Sequence, residues 1–224
     1  MLFKHWVAIA SSAVCLCATA APQPGDLIFS DNFDSTPLGI GQTSLPGGWT
    51  VVGGTVDVIG APGLDPRPGH GHYIDMQGSS GEPGRLSIEV PVETSGRYLV
   101  EFDWSGNARG NAGAIGVDTG PAGGTDGKSF IIDVAADTPF LRSGHGTGIQ
   151  NQGSFLLTFF TPAFVDTPDG RFVADTGLLL DNVTVTFAQA IPEPATFVLV
   201  LAGIVPIGLA ARRKWRLAQA IIKK

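Results

Sequence analysis

Cysteine is almost missing from this chain of 224 residues. The only two are Cys15 and Cys17, both within the first twenty positions. Removal of that segment would leave no thiol, no disulfide and no cysteine metal ligand, which excludes thiol catalysis. The lack of disulfides does not argue against export, because a body of this size can hold its core without them. Histidine is also scarce. Beyond His5 there are only His70, His72 and His145. No G-x-S-x-G, H-E-x-x-H or phosphate-loop motif occurs. Basic residues are sparse in the middle of the chain. Of 20 acidic residues, all but Glu193 lie between Ala21 and Ala190, against 7 basic residues in the same span, a formal charge of −12. Such a surface repels phosphate backbones, which argues against nucleic-acid binding.

What is present at the two ends has a clear order. Lys4 and His5 are basic, Trp6 to Cys17 is apolar or small, and Ala18-Thr19-Ala20 forms an A-x-A cleavage pattern. Residues 1–20 are therefore expected to be a signal peptide. At the other end, Ala195 to Ala211 carries no charge in 17 residues. A helix of that length spans ~25 Å against a hydrocarbon core of ~30 Å, enough for a short membrane span with snorkelling flanks. Arg212, Arg213, Lys214 and Arg216 follow and are expected to hold the basic end of 212–224 in the cytoplasm. The expected organisation is signal peptide 1–20, body 21–190, a Pro-Glu-Pro element 191–194, a transmembrane helix 195–211 and a basic tail 212–224. The topology is type I, with the body exported.

Pro192-Glu193-Pro194 stands directly before the apolar span, and its two prolines force extended backbone. This order of Pro-Glu-Pro, short apolar span and Arg-rich cluster resembles the PEP-CTERM sorting signal of Gram-negative bacteria. The resemblance covers about 25 residues. It implies a partner, the integral-membrane cysteine peptidase exosortase, that recognises and processes the signal. It also implies release to, or attachment at, the cell surface or an exopolysaccharide matrix. It indicates where the chain goes, and nothing about what it does there.

The body is rich in Gly, Pro, Thr, Ser and Asp, and period 2 dominates over period 3.6. Arg85–Val90 alternates with Leu86, Ile88 and Val90 on one face. Arg97–Trp104 alternates with Tyr98, Val100, Phe102 and Trp104 on one face and Glu101 and Asp103 on the other. The two segments read as a β-hairpin. Further strands are expected at Asp26–Ser30, Trp49–Val52, Thr55–Ile59, His72–Met76, Ala114–Val117, Ser129–Val134, Ser154–Thr161, Arg171–Ala174 and Leu178–Phe187. Short strands with Gly and Pro turns favour an all-β, antiparallel sandwich of jelly-roll type.

Five short stretches occur in order along the body: Asp31-Asn32-Phe33-Asp34, Gly48-Trp49, Val56-Asp57-Val58-Ile59, Tyr73-Ile74-Asp75-Met76 and Leu180-Asp181-Asn182-Val183. With the Tyr98–Trp104 strand they resemble the exported choice-of-anchor β-sandwiches, which are akin to galactose-binding-like domains. That resemblance implies carbohydrate binding and, in many members, a structural calcium.

Asp181 shares parity with Val183, Val185 and Phe187, which places a carboxylate on the inward face. Such a group needs a partner. Backbone amides would serve, as would a calcium ion held with Asp31 and Asp34. Otherwise Asp31 and Asp34 are turn formers. His70-Gly71-His72 offers two imidazoles with no third ligand nearby. Glu101 and Asp103 read either as a glycosidase pair or as a solvated strand face, the second being far commoner. Gly144-His-Gly-Thr-Gly148 has no following helix, which speaks against a phosphate cradle. Trp49 and Tyr73 are candidate sugar-stacking residues, while Trp104 belongs with the core. Ser105–Lys128, with eight glycines, reads as a long loop and a possible binding rim. The expected function is a non-enzymatic, structural or adhesive protein of the cell surface or matrix. The alternative is a carbohydrate-binding module with a specific glycan, and the remote one a glycan hydrolase.

Overall fold

The computed structural model describes residues 21–80, 82, 84–108, 112–121, 127–162 and 177–190. The signal peptide, Pro192–Pro194, the apolar span, the basic tail and the expected strand Arg171–Ala174 lie outside these residues. Among the described residues no helix is long and apolar enough to cross a membrane.

Among the described residues, twelve strands form two antiparallel sheets: β1 (Leu27–Asp31), β2 (Gly39–Gln42), β3 (Thr50–Val52), β4 (Val56–Gly60), β5 (His72–Asp75), β6 (Arg85–Val92), β7 (Gly96–Ser105), β8 (Gly113–Pro121), β9 (Lys128–Val134), β10 (Leu141–Gly146), β11 (Gly153–Phe160) and β12 (Leu179–Ala190). The seven-stranded sheet runs β10-β7-β12-β5-β4-β2, with β1 also paired to β12. The five-stranded sheet runs β3-β6-β11-β8-β9. The expected antiparallel sandwich is what the chain forms.

Alternation builds the core. Leu86, Ile88 and Val90 of β6, Phe155, Leu157 and Phe159 of β11, and Ile115 and Val117 of β8 point inward from one sheet. Tyr98, Val100, Phe102 and Trp104 of β7 and Val183, Val185 and Phe187 of β12 meet them from the other. Trp49 packs among Phe29, Phe33 and Phe159, with ring centroids 5.7–6.3 Å apart. Phe102 contacts Phe159 edge-on at 5.0 Å. These large rings fill the centre of the core among the aliphatic side chains.

Two expectations about the strand arrangement change. Segments 85–90 and 97–104 are not a hairpin, because β6 and β7 belong to different sheets. Alternation fixes which side of a strand is buried. It does not distinguish strands lying side by side from strands facing each other across a core. The Tyr98 hydroxyl donates to the Thr94 carbonyl at 2.7 Å and anchors the crossover. The glycine-rich stretch 105–128 is not one long loop, because β8 runs through it between β11 and β9. The stretch 144–148 begins as part of the edge strand β10.

β12 changes partner along one edge. Leu179 and Leu180 pair with β5, and Val183 to Thr186 pair with β1. The break falls at Asp181 and Asn182, and its extra residue turns Asp181 to the outer side, opposite Asp103, and not to the inward face that its parity with Val183 predicts. Asn182 takes up the strain with φ 48°, a conformation that asparagine tolerates better than most residues.

Candidate functional site

The acidic residues singled out from the sequence gather at the break in β12. Asp181 is 1% exposed. Its two oxygens accept hydrogen bonds from the Asn182 backbone at 2.7 Å and the Asn182 side chain at 3.2 Å. Burial pushes its pKa up from 3.8 to about 7, and the charges of Asp103, Asp34 and Asp31 add to the rise. Asp31 accepts from the Phe33 amide at 2.8 Å and from the Trp49 indole at 2.8 Å. Asp34 accepts from the His72 amide at 3.0 Å and the Asn32 side chain at 2.7 Å. The donor set is all oxygen and negative, which suits a hard cation such as calcium. Among the described residues, however, no three His, Cys, Asp or Glu side chains converge to hold a metal ion. The histidine pair does not point to one either. His72 bonds the Thr36 carbonyl at 2.8 Å, whereas His70 stacks on Phe140 at 4.2 Å.

Neither aromatic expected to stack on sugar is free to do so. Trp49 is 2% exposed and Tyr73 is fully buried. Tyr73 lies on the outer side of the seven-stranded sheet, where it joins Ile59, Leu179 and Phe140 in a second, small apolar cluster. Its hydroxyl donates to Asp65 at 2.7 Å and accepts from the Arg67 amide at 3.1 Å. The Arg67 guanidinium donates to the carbonyls of Gly106, Ala136 and Thr138 at 2.8–3.2 Å, tying three loops over the sheet. Tyr73 points away from its core neighbour Ile74 and lies on the outer side of the sheet beneath a loop. Farther along the same outer face, Arg142 pairs with Asp103 at 3.1 Å and Glu101 at 3.6 Å, and donates to Thr184 at 2.9 Å. The two carboxylates therefore share a cation and are not arranged as an acid–base pair across a cleft. This face is covered at one end and self-satisfied at the other.

The outer face of the five-stranded sheet is different. Cross-strand register aligns Val52, Arg85, Phe160, Gly116 and Ile131 in one row across all five strands. The next row carries Thr50, Ser87, Thr158, Asp118 and Ser129. Phe160 lies across Gly116, where any Cβ would run into its ring. The Arg85 guanidinium sits 4.6 Å above the same ring and reaches Asp118 at 3.2 Å. Beneath that bridge, the Ser87 and Thr158 hydroxyls bond each other at 2.9 Å and are only 7% and 6% exposed. The Arg85 and Asp118 side chains are themselves 49% and 37% exposed. An aromatic ring, a forked donor, a carboxylate and two hydroxyls thus share one patch of open sheet.

The sequence reading missed this patch. Arg85 and Ser87 were legible as the outward positions of an alternating strand, and Gly116 within a strand was a signal of close approach. Their meeting with Asp118 and Phe160 depends on register, which no local pattern reveals.

No family model and no curated protein matches this sequence. Solved structures do. The CBM22-1 xylan-binding domain of Paenibacillus barcinonensis Xyn10C aligns with a TM-score of 0.51 at 15% identity, covering 77% of this chain and 100% of that one. The tandem CBM22-1–CBM22-2 structure from the same protein aligns at 0.52 and 18% identity over 79% of this chain. This chain spans about half of that tandem structure, 49%. At such identities the likeness establishes the fold.

Proposed function

We propose that this chain is an exported, surface-held carbohydrate-binding protein without catalytic activity, and that the open face of the five-stranded sheet is its ligand face. The patch of Arg85, Asp118, Ser87, Thr158 and Phe160 carries the reading. Sugars present apolar ring faces and vicinal hydroxyls, and they are bound by an aromatic surface flanked by a few polar groups. The solvent-exposed ion pair contributes little to stability, about 0–1 kcal/mol. Arg85 can therefore exchange Asp118 for sugar hydroxyls at small cost and uncover Phe160. The charge of −12 on the body favours a neutral polysaccharide over an anionic one. The fold shared with a xylan-binding domain is consistent with this function.

Sorting supplies the context. The order Pro192-Glu193-Pro194, apolar span and basic cluster supports processing by an exosortase and delivery to the surface or an exopolysaccharide matrix. Both ends of the body lie together, since the Gly25 amide donates to the Phe187 carbonyl at 2.7 Å and the Phe187 amide to the Asp26 carbonyl at 2.9 Å. The described body thus begins and finishes at neighbouring positions. Asp31, Asp34 and Asp181 do not converge on one point, so a structural calcium beside Asp181 would need backbone or water oxygens as well, and it would replace the proton on Asp181.

Affinity electrophoresis through a panel of neutral polysaccharides tests the binding role. Retardation by at least one polymer is expected, lost in Phe160→Ala and Arg85→Ala. Equal retardation of wild type and both variants would move the site elsewhere. Replacing Glu193 in a host that carries an exosortase tests the sorting role: the variant should stay in the membrane fraction.

A further inference from the structure

We propose that the chain forms a homodimer by antiparallel pairing of the edge strand β9 with β9 of a second copy. Among the described residues β9 pairs on one side only, with β8. It is seven residues long, Lys-Ser-Phe-Ile-Ile-Asp-Val, with its only cation at one end and no proline. Edge strands that must stay single are usually shortened, or interrupted by proline or a central lysine. β9 has none of these protections. Ile131 at its centre is 55% exposed on the outer face, and Phe130 and Ile132 are only partly buried on the inner one.

The register follows from the sequence of the strand. Opposed residues in an antiparallel pair point to the same side of the sheet, so outward residues must meet outward residues. A two-fold axis through Ile131 satisfies this and pairs all seven positions. Ile131 meets Ile131, Phe130 meets Ile132, Ser129 meets Asp133 and Lys128 meets Val134. No like charges are opposed, and each Asp133 gains a hydroxyl donor. Moving the axis to Ile132 would set Ile131 against Asp133. Moving it to Phe130 would leave Asp133 and Val134 unpaired.

This dimer joins two five-stranded sheets into one continuous surface, with the outer faces on the same side. Phe160 lies two strands in from β9. The two Phe160 rings would then fall in one row, five strand spacings or ~24 Å apart. Resting on the carbohydrate reading, this places two ligand patches where one polysaccharide chain can engage both, and the second contact gains from effective concentration. It would also let a surface protein cross-link a matrix.

The chain's shortage of cysteine provides the test. In the full chain carrying Cys15→Ser and Cys17→Ser, purified in detergent, a single Ile131→Cys has a partner within disulfide reach in either kind of antiparallel pair. Mild oxidation should give a covalent dimer on a non-reducing gel. Ser129→Cys alone and Asp133→Cys alone should stay monomeric, and an equal mixture of the two should cross-link. Ile131→Lys should abolish the dimer in sedimentation of the otherwise native chain, with its circular dichroism spectrum unchanged. Absence of cross-linking for Ile131→Cys, or equal cross-linking of all the single variants, would overturn the proposal. Both readouts are made without sugar, so failure of polysaccharide binding does not affect them. Loss of avidity in a Ile131→Lys chain that still binds with one patch would concern the linkage between sites alone.

Discussion

The two outer faces of the sandwich carry similar kinds of residue but use them differently. On the seven-stranded sheet, polar groups are spent on the protein itself. Arg67 holds three loop carbonyls, Tyr73 is buried beneath a loop and bonded to Asp65, and Arg142 bridges Glu101 and Asp103. On the five-stranded sheet, the Arg85–Asp118 pair lies half exposed over an aromatic ring with no loop tied across it by a comparable bond among the described residues. Residue type alone does not mark a ligand site. An arginine that satisfies buried carbonyls is part of the structure, whereas one whose pair is exposed can be released to a ligand. Variants on the first face should move stability, and variants on the second should move binding.

The largest expected effect belongs to the seam in the seven-stranded sheet. In metal-free protein Asp181 keeps a proton to about pH 7, whereas the unfolded chain releases it near 3.8. The folded state therefore binds more protons between these values. The contribution of Asp181 to stability should be complete below about pH 4, fall as pH rises through this window, and be lost above about pH 7, a change of roughly 4 kcal/mol. Chemical denaturation in EDTA from pH 4.5 to 8 measures the slope, and Asp181→Asn should flatten it. Millimolar calcium should raise the melting temperature more at pH 8 than at pH 5, because the ion takes the place of the proton. If the melting temperature at pH 8 is the same in EDTA and in calcium, no structural ion binds there.

Arg67→Ala comes next. It leaves loop carbonyls without donors and should cost about 3 kcal/mol in urea unfolding while leaving polysaccharide affinity unchanged. Tyr73→Phe removes the donor to Asp65 and should cost about 1–2 kcal/mol, again without effect on binding. Gly116→Ala should have a smaller stability effect, under about 1 kcal/mol, because only the tip of the Phe160 ring must swing away. It should nonetheless weaken binding, because that ring then leaves the sheet. A Gly116→Ala chain that binds normally would break the contrast between the faces.

Much of the sandwich was legible in the sequence because burial follows alternation. The inward sets on β6, β7, β11 and β12 follow from parity alone, whereas Asp181 does not, because the extra residue at the bulge sets it opposite the outward-facing Asp103. Two strands were not legible. β2 and β10 are glycine-containing edge strands, Gly-Ile-Gly-Gln and Leu-Arg-Ser-Gly-His-Gly, whose partial exposure leaves no apolar period to read. Tyr73 shows the limit of parity, which put it on one side of a strand but could not say that a loop covers that side. The ligand patch was the least legible feature. Its members stand at 85, 87, 116, 118, 158 and 160, and only the pairing of β6, β11 and β8 makes them neighbours.

The most direct test is titration calorimetry of the best polysaccharide from the panel against wild type, Phe160→Ala and Arg67→Ala, with each protein's melting temperature recorded alongside. The account predicts that Phe160→Ala melts within a few degrees of wild type and releases no binding heat, whereas Arg67→Ala melts well below wild type and binds normally. Undiminished binding by Phe160→Ala, or loss of binding confined to Arg67→Ala, would contradict the assignment of the ligand face.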